Sequence, residues 1–552
     1  MTESNHTVRS PGDFKVLIVY PNLPLMLTPA LSIGLFTSIL RKQGYQLDLF
    51  ETTYYGDIDE SSSLNRVKML NARPFDSKED VGFNMREGSL LSDFRKLVLE
   101  FEPDLLVFSV VEDVFLQTIN MLRSIADIDI PHVIGGVFPS NAPAACMKYP
   151  EIKLIGRGEG ETTVATVAER VRLGEPLDDV PGTWYRMPDG TINKTPQPPI
   201  VNINDVMPDY SLFGRDRFVR PMGGRVFMTM PVETYRGCPY SCTYCNSPAQ
   251  RAFSKDNDLG VFLRRKDMET LRDELAHYVD TYDPEFFFFV DDSFLARPRK
   301  EIFDFCDMYE EFRLPFWFNT RAENCTADVM ARLKEVGSYR ISFGLEAGNE
   351  EYRAQVLRRK VSNEKYIEHF KIIRDSGIAF SLNIIIGMPG ETRDLVMDTV
   401  EMVRSIQGYD ALTVSIFTPY HGTVLRDVAV KNGWLDPDTI TRHTTSSSLL
   451  NMPEPYLSVD EIDSLAAVFP LYCYFPKSDW EKIKRAETPD EEGLKIREYY
   501  SEIYREEFLG ESQEQKQELV QGGTGCRTNP KDSFFQTPNR LSQDQLALLT
   551  MS

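Results

Sequence analysis

The sequence runs to 552 residues, of which 42% are hydrophobic and 26% charged, with a formal net charge of −22. A chain this long exceeds one compact core and predicts about two or three domains. The acidic balance lacks the basic face of a nucleic-acid binder, so no nucleic-acid partner is expected, and no run reaches the roughly 18 apolar residues of a transmembrane span.

The opening stretch MTESNHTVRSPGDFK has no apolar signal core, which predicts a cytoplasmic protein; residues 1–13 are polar and expected to be loose. KVLIVYP (Lys15–Pro21) has the unbroken apolar run of a buried parallel strand. Leu31–Gln43 has helical periodicity and stops at Gly44. YQLDLFET is a second strand, and a polar excursion with helical pieces follows from Tyr55 to Leu90. PDLLVFSVV (Pro103–Val111), PHVIGG (Pro131–Gly136) and IKLIGRGEGE (Ile152–Glu161) supply three more strands, with helices over Val114–Ala126 and Thr162–Leu173. Strand and helix alternating in this way predict an α/β unit over residues 14–175, a doubly wound, Rossmann-like parallel sheet. Ligands on such sheets sit outside the carboxyl ends of the strands, so the loops after the first, third, fourth and fifth strands form the expected binding rim.

Residues 176–224 are rich in Pro, Asn, Asp and Gly and read as a small hairpin and linker. A second series of strands begins near Phe227: VFMTM–VETYR, EFFFFVDD, FWFNTRA, YRISFGLEA, FSLNIIIGM and ALTVSIFTPY. Helical stretches such as Lys266–Tyr282 and Ser362–Ser376 separate them. Six such repeats suit a partial (β/α)6 barrel over residues 225–450, with its chemistry at the strand C-termini. Residues 451–510 read as a helical C-terminal region, and 511–552 as a disordered tail rich in Gln, Gly, Asn and Ser.

Three of the eight cysteines fall within eight residues, in YRGCPYSCTYCNSP. Cys238, Cys242 and Cys245 form a C-x-x-x-C-x-x-C loop directly after a predicted strand. Thiolates are soft ligands suited to iron–sulfur chemistry, and three of them hold three corners of a 4Fe–4S cube. No fourth Cys lies nearby, which leaves one iron open. Zinc is the alternative occupant, but it asks for a fourth Cys or His, and none of the six histidines lies near the loop. The remaining cysteines read as buried small hydrophobes, or in Cys526 as a tail residue.

With this spacing, and with an aromatic residue, Tyr244, before the last Cys, the stretch from about 225 to 450 resembles the radical S-adenosylmethionine (SAM) superfamily. The resemblance implies that the amino and carboxylate groups of SAM chelate the open iron. One-electron reduction then cleaves SAM to methionine and a 5′-deoxyadenosyl radical, with electrons from an external donor of flavodoxin or ferredoxin type. It also implies SAM contacts. Asp291 and Asp292 of FVDDSF stand where the family often meets the amino group, and Glu346 of GLEAGNEE resembles the ribose-binding acid. Arg358 or Arg359, on the following helix, would meet the carboxylate. Asn383, Gly387 and Met388 of NIIIGMPGET resemble the adenine-binding stretch, with Asn383 where a Gly is usual. FTPYHGT is similar to the P-Y-P-G-T of many members, with His421 in place of a Pro.

The unit in front has a plainer reading as a structural flavodoxin-like domain, and a dinucleotide site is weakly supported because no G-x-G-x-x-G follows its first strand. Placed before a radical SAM barrel, its pieces KVLIVYPN, S-V-V, V-I-G-G and G-R-G-E-G-E resemble the cobalamin-binding domain of cobalamin-dependent (class B) radical SAM enzymes. By that resemblance Ser109, Gly135, Gly136, Gly158, Glu159 and Gly160 would line the corrin and its nucleotide tail, small residues letting the backbone approach a large planar ligand. The Asp-x-His-x-x-Gly of methionine-synthase-like domains is absent from the loop YPNLPLMLTPALS, so bound cobalamin would lack a His lower ligand. His132 reads as a packed or edge histidine.

The implied cofactors are a 4Fe–4S cluster, SAM and cobalamin. The leading functional reading is a methyltransferase acting on an unactivated carbon, or a phosphorus, of a small-molecule or natural-product substrate. A cyclase, oxidase or rearrangement enzyme that keeps both cofactors without methyl transfer is the second reading, and a non-catalytic cobalamin or redox sensor the third. Methylthiotransferases are disfavoured, because their N-terminal domain carries its own cysteine triad and this one offers only Cys146.

Overall fold

The computed structural model describes residues 8–56, 66–72, 78–79, 82–222, 225–442, 447–510 and 540–550. The chain forms two compact units, one of Met1–Ser62, Asp76–Arg220 and Ala249–Asp267, the other of Ser63–Phe75, Pro221–Pro248 and Met268–Ser552.

The first unit is built on seven strands: β1 (Lys15–Tyr20), β2 (Gln46–Glu51), β3 (Leu105–Ser109), β4 (His132–Gly135), β5 (Leu154–Gly156), β6 (Thr183–Arg186) and β7 (Ile192–Lys194). They lie in the order β2-β1-β3-β4-β5-β6-β7. The first five are parallel; β6 and β7 join antiparallel. Val16 to Val19 of β1 are wholly buried, as a strand covered on both faces must be. The chain steps one way from β1 to β2 and the other way afterwards, so right-handed crossovers place the helix after β1 on one face and the helices after β2 and β3 on the other. Accordingly Leu31–Lys42 packs on Gly160–Leu173, and Leu90–Phe101 on Phe115–Ser124. The order 2-1-3-4-5 puts the topological switch between β1 and β3, where doubly wound sheets bind ligands.

The second unit carries β8 (Val219–Met222), β9 (Arg225–Val232), β10 (Phe286–Phe289), β11 (Phe316–Thr320), β12 (Ser338–Glu346), β13 (Ala379–Ile386) and β14 (Ala411–Ile416). Their order is β14-β13-β12-β11-β10-β9-β8, with β9 to β14 all parallel. This is the curled sheet of a partial barrel. Phe287, Phe289 and Phe316 are fully buried against Phe305 and Tyr309 of the helix Arg299–Tyr309, and Phe318 against Phe294 and Phe316, each such ring contributing about 2–3 kcal/mol by burial. Helices after the strands start on caps: Asn349, Ser362, Thr392 and Thr423 each accept an N–H of their own first turn. A capping box of Ser458 and Glu461 opens Val459–Tyr474 in the C-terminal region.

Several expected boundaries move. The hairpin assigned to a linker extends the first sheet instead, and the first unit continues to Arg220. Ala249–Asp267, expected within the barrel, counts in the first unit. A short piece of the polar excursion goes the other way: Met69 and Leu70 are buried in the second unit, and the Asn71 amide pairs with both N–H and C=O of Val414 at 2.8 and 2.7 Å. Asn71 thereby occupies hydrogen-bonding positions on the edge strand β14. Of the expected tail, residues 511–539 and 551–552 lie outside the described residues. Gln543–Leu549 is helical rather than disordered, because Leu549 is buried against Gly390. Among the described residues no helix is long and apolar enough to cross a membrane.

Candidate active site

Two places in the molecule gather the residues singled out above, one in each unit. In the second unit the cysteine loop leaves β9 through Gly237, whose φ of 95° is open to glycine at little strain. Residues beyond the carboxyl ends of β10, β11, β12 and β14 anchor it. The Tyr240 hydroxyl donates to Asn324 Oδ1 at 2.8 Å, and the Arg321 guanidinium lies 3.8 Å over the Tyr240 ring. The Thr243 hydroxyl donates to the Val356 carbonyl at 2.7 Å, while the Leu425 N–H donates to the Thr243 carbonyl at 3.0 Å. Asn246 Nδ2 donates to the His421 carbonyl at 2.6 Å, and the Ser247 hydroxyl to Asp292 at 3.0 Å.

Cys238, Cys242 and Cys245 are half-buried thiols with no disulfide. Burial pushes Cys238 up to about 11 and Cys245 to about 12, with the Asp292 charge adding to each. Thiolates form here only against positive charge, which iron supplies, so cluster binding releases protons. Among the described residues no three His, Cys, Asp or Glu side chains converge where a single metal ion would sit. A four-iron cube takes one thiolate per iron and needs no such convergence. The all-sulfur donor set on one anchored loop fits it.

The two acids at the end of β10 separate in role. Asp291 is buried and saturated: it accepts from the N–H groups of Thr234 and Tyr235 at 2.7 and 3.0 Å and from the Thr234 hydroxyl, and pairs with Arg297. Its carboxylate ties β9 to β10 and offers nothing to a ligand, contrary to the expected SAM contact. Asp292 is exposed, takes the Ser247 hydroxyl, and faces Cys238 and Cys245 electrostatically.

Glu346 sits at a bulge in β12 with a φ of 66°. Its Oε1 accepts from Tyr244 at 3.2 Å and from Arg359 at 3.1 Å, and burial pushes its carboxyl up while Arg359 pulls it back. Arg359 also donates to the Gly344 carbonyl at 2.7 Å and to the Tyr366 hydroxyl at 3.0 Å. It is consumed in positioning Glu346. Arg358 is exposed, and both arginines follow the helix Glu350–Gln355 rather than lying on it. On β13, Leu382, Ile384 and Ile386 are buried, and Asn383 shares the other face with Ser381, beside Gly344 and Thr413 in register. Gly387 and Met388 are buried, their N–H groups donating to Glu391 at 2.6 and 3.3 Å. The Met388 side chain therefore offers no exposed surface.

Sequence reasoning missed Arg321. It follows the last residue of β11, stacks on the loop, pairs with Glu323 at 2.6 Å, and its field lowers Cys238 and Glu346. A cation one residue past a barrel strand was the available signal.

In the first unit a cavity of about 210 Å3 opens at the carboxyl ends of β3, β4 and β5. Ser109, Gly135, Gly136, Gly158, Glu159 and Gly160 all line it. Ser32 and Phe36 of the first helix join the wall; the loop after β1, expected on the rim, contributes none of its residues. Gly136 is obligatory, since a Cβ there would stand 2.3 Å from the Val110 carbonyl. Glu159 is not open to a ligand as expected. Arg264 grips its carboxylate, which also accepts the Val201 N–H at 3.2 Å. Two polar atoms on the lining, Asn141 Nδ2 and Ser254 Oγ, are buried with no hydrogen-bond partner. Small residues, apolar walls and orphaned polar atoms fit a large cofactor's arm. His132 opens β4 at the far end from the cavity, buried, its Nε2 accepting the Lys153 N–H at 3.3 Å.

Comparison with known proteins adds four likenesses. Residues 232–403 match the model of the Radical SAM superfamily. The chain is 24% identical to the cytidylyl-2-hydroxyethylphosphonate methyltransferase of Streptomyces wedmorensis, over 82% of this chain and 89% of that one. It is 25% identical to the anaerobic magnesium-protoporphyrin IX monomethyl ester cyclase of Rubrivivax gelatinosus, over 59% and 58%. Its fold is similar to that of the radical SAM methyltransferase TsrM from Kitasatospora setae, solved with cobalamin and a [4Fe-4S] cluster bound. There the TM-score is 0.56 and the identity 15%, covering 84% of this chain and 82% of that one.

Proposed function

Because this chain belongs to the radical SAM superfamily, we propose that it is a cobalamin-dependent radical SAM methyltransferase, acting on an unactivated carbon or a phosphorus of a small molecule. The observation that carries the cobalamin part is the cavity at the carboxyl ends of β3 to β5, walled by small residues and holding two orphaned polar atoms. The methyl part is supported by the Streptomyces wedmorensis relative, which aligns over most of both chains.

When bound, the cluster with SAM supplies a radical that removes hydrogen from substrate, and cobalamin supplies the methyl group. The chain's own residues bind and orient. Cys238, Cys242 and Cys245 hold three irons, and the anchors from Asn324, Val356, His421 and Asp292 keep their loop in place. On this reading Asp292 would receive the ammonium of SAM, and Glu346, held by Tyr244 and Arg359, a ribose hydroxyl. Electrons come from an external flavodoxin- or ferredoxin-type donor.

A second reading, radical cyclisation without methyl transfer, is favoured by the Rubrivivax gelatinosus cyclase relative. The test is anaerobic reconstitution with iron, sulfide and cobalamin, then SAM cleavage with and without reductant. Cleavage that depends on reductant supports the enzyme; its absence after full cluster loading overturns it. A product heavier by one methylene separates methyl transfer from cyclisation.

A further inference from the structure

We propose that the segment Ala249–Asp267 is a ligand-binding part of the first unit's cavity, and that Ser254 and Phe253 contact the nucleotide arm of the cofactor; this rests on the cobalamin reading. In sequence the segment directly follows the cysteine loop, within the stretch expected to form the barrel. In the structure it belongs to the first unit, and five of its residues, Gln250, Phe253, Ser254, Leu259 and Phe262, line the cavity.

Polar contacts along its length attach it there. Arg264 grips Glu159 with both terminal nitrogens and also donates to the Val201 carbonyl. The Ile200 N–H donates to the Leu259 carbonyl at 3.3 Å, and the Asp267 N–H to Asn204 Oδ1 at 2.8 Å. A bidentate guanidinium–carboxylate pair fixes orientation as well as distance. The Phe253 ring lies against Gly158, where a Cβ would meet it at 3.1 Å, with the Arg157 guanidinium 4.9 Å from its centroid. Gly158, at a φ of 78°, is thus small because this ring is there.

Ser254 is the decisive residue. It is only 3% exposed, and its hydroxyl has no partner in the protein. A buried hydroxyl left unpaired is unfavourable unless something else bonds it. Asn141 Nδ2, also on the lining, is likewise buried and unpaired. The cavity, at about 210 Å3, is smaller than the roughly 300–1,000 Å3 that whole drug-sized ligands occupy. It suits one arm of a large cofactor: a flat base against Phe36, Val107 and Phe253, with acceptors for Ser254 and Asn141.

The experiment compares two probes on the full-length protein: hydroxocobalamin, and cobinamide, which is the same corrin without the nucleotide arm. Affinities come from equilibrium dialysis and the absorbance change. Wild type should prefer hydroxocobalamin. Ser254→Ala should weaken that probe about tenfold, the worth of one hydrogen bond, and leave cobinamide unchanged; Phe253→Ala should do so more strongly. The unliganded Ser254→Ala variant should melt as wild type does, and both variants should load the same iron. Equal weakening of both probes, or no weakening of either, overturns the contact with the arm while the cobalamin reading stands. Failure of wild type to bind either probe overturns that reading and this inference together.

Discussion

The Tyr244 hydroxyl donates to Glu346 Oε1 at 3.2 Å, tying the residue before the last cluster cysteine to the end of β12. Gly344 makes room for this. A Cβ there would stand 2.0 Å from the same oxygen. Gly344→Ala should therefore displace the Glu346 carboxylate and break its bonds to Tyr244 and Arg359. The overpacking should cost about 1–3 kcal/mol, seen as a lower melting temperature, and SAM cleavage should fall with it. Unchanged melting and cleavage would contradict the arrangement.

The adjacent acids of β10 should behave in opposite ways. Asp291→Asn breaks a buried pair with Arg297 and should destabilise the fold by about 3 kcal/mol, measured by denaturant unfolding. Asp292→Asn should leave stability near wild type and raise the KM for SAM about tenfold, the worth of one charge-assisted hydrogen bond.

Cys242→Ala removes one of three thiols from the loop and should abolish both cluster and cleavage. Iron and sulfide content after anaerobic reconstitution reports the first, and 5′-deoxyadenosine formation the second. Retention of either would count decisively against the ligand assignment.

Glu391 predicts a pH dependence. It is wholly buried, its partners the N–H groups of Gly387 and Met388, and burial pushes its carboxyl from 4.5 up to about 8. The folded state therefore keeps a proton that the unfolded chain loses. This stabilisation is complete below about pH 4.5, declines as pH rises, and is gone above about pH 8. Glu391→Gln, neutral throughout, should gain on wild type across that window, by an amount on the order of a few kcal/mol. Melting temperatures at pH 5 and pH 8 check it, and a constant difference between the two proteins would refute it.

Much of the fold was readable along the chain. A buried parallel strand needs apolar residues on both faces, so Val16–Val19, wholly buried, and Phe286–Phe289, buried but for a half-exposed Phe288, stand out. What was not readable is where a segment goes once its local structure forms. The hairpin Thr183–Lys194 and the piece around Asn71 carry ordinary turn and polar residues. Only the sheet edges they meet, β5 for one and β14 for the other, decide their place.

The three cysteines were determined by sequence alone, because ligand spacing on one short loop is a local property. The glycines of the cavity stood out in the sequence as well, but it is distant partners, Val110 for Gly136 and Phe253 for Gly158, that explain them. Tertiary structure decided how neighbouring residues divide their roles. Asp291 is spent on Arg297 while Asp292 stays open, and Arg359 is spent on Glu346 while Arg358 stays outside. It also gave Ala249–Asp267 to the first unit rather than the barrel. The physical reason is common to all three. Burial and pairing are set by partners that the fold brings in from elsewhere along the chain, and a side chain's chemistry is what remains after those partners have taken their share.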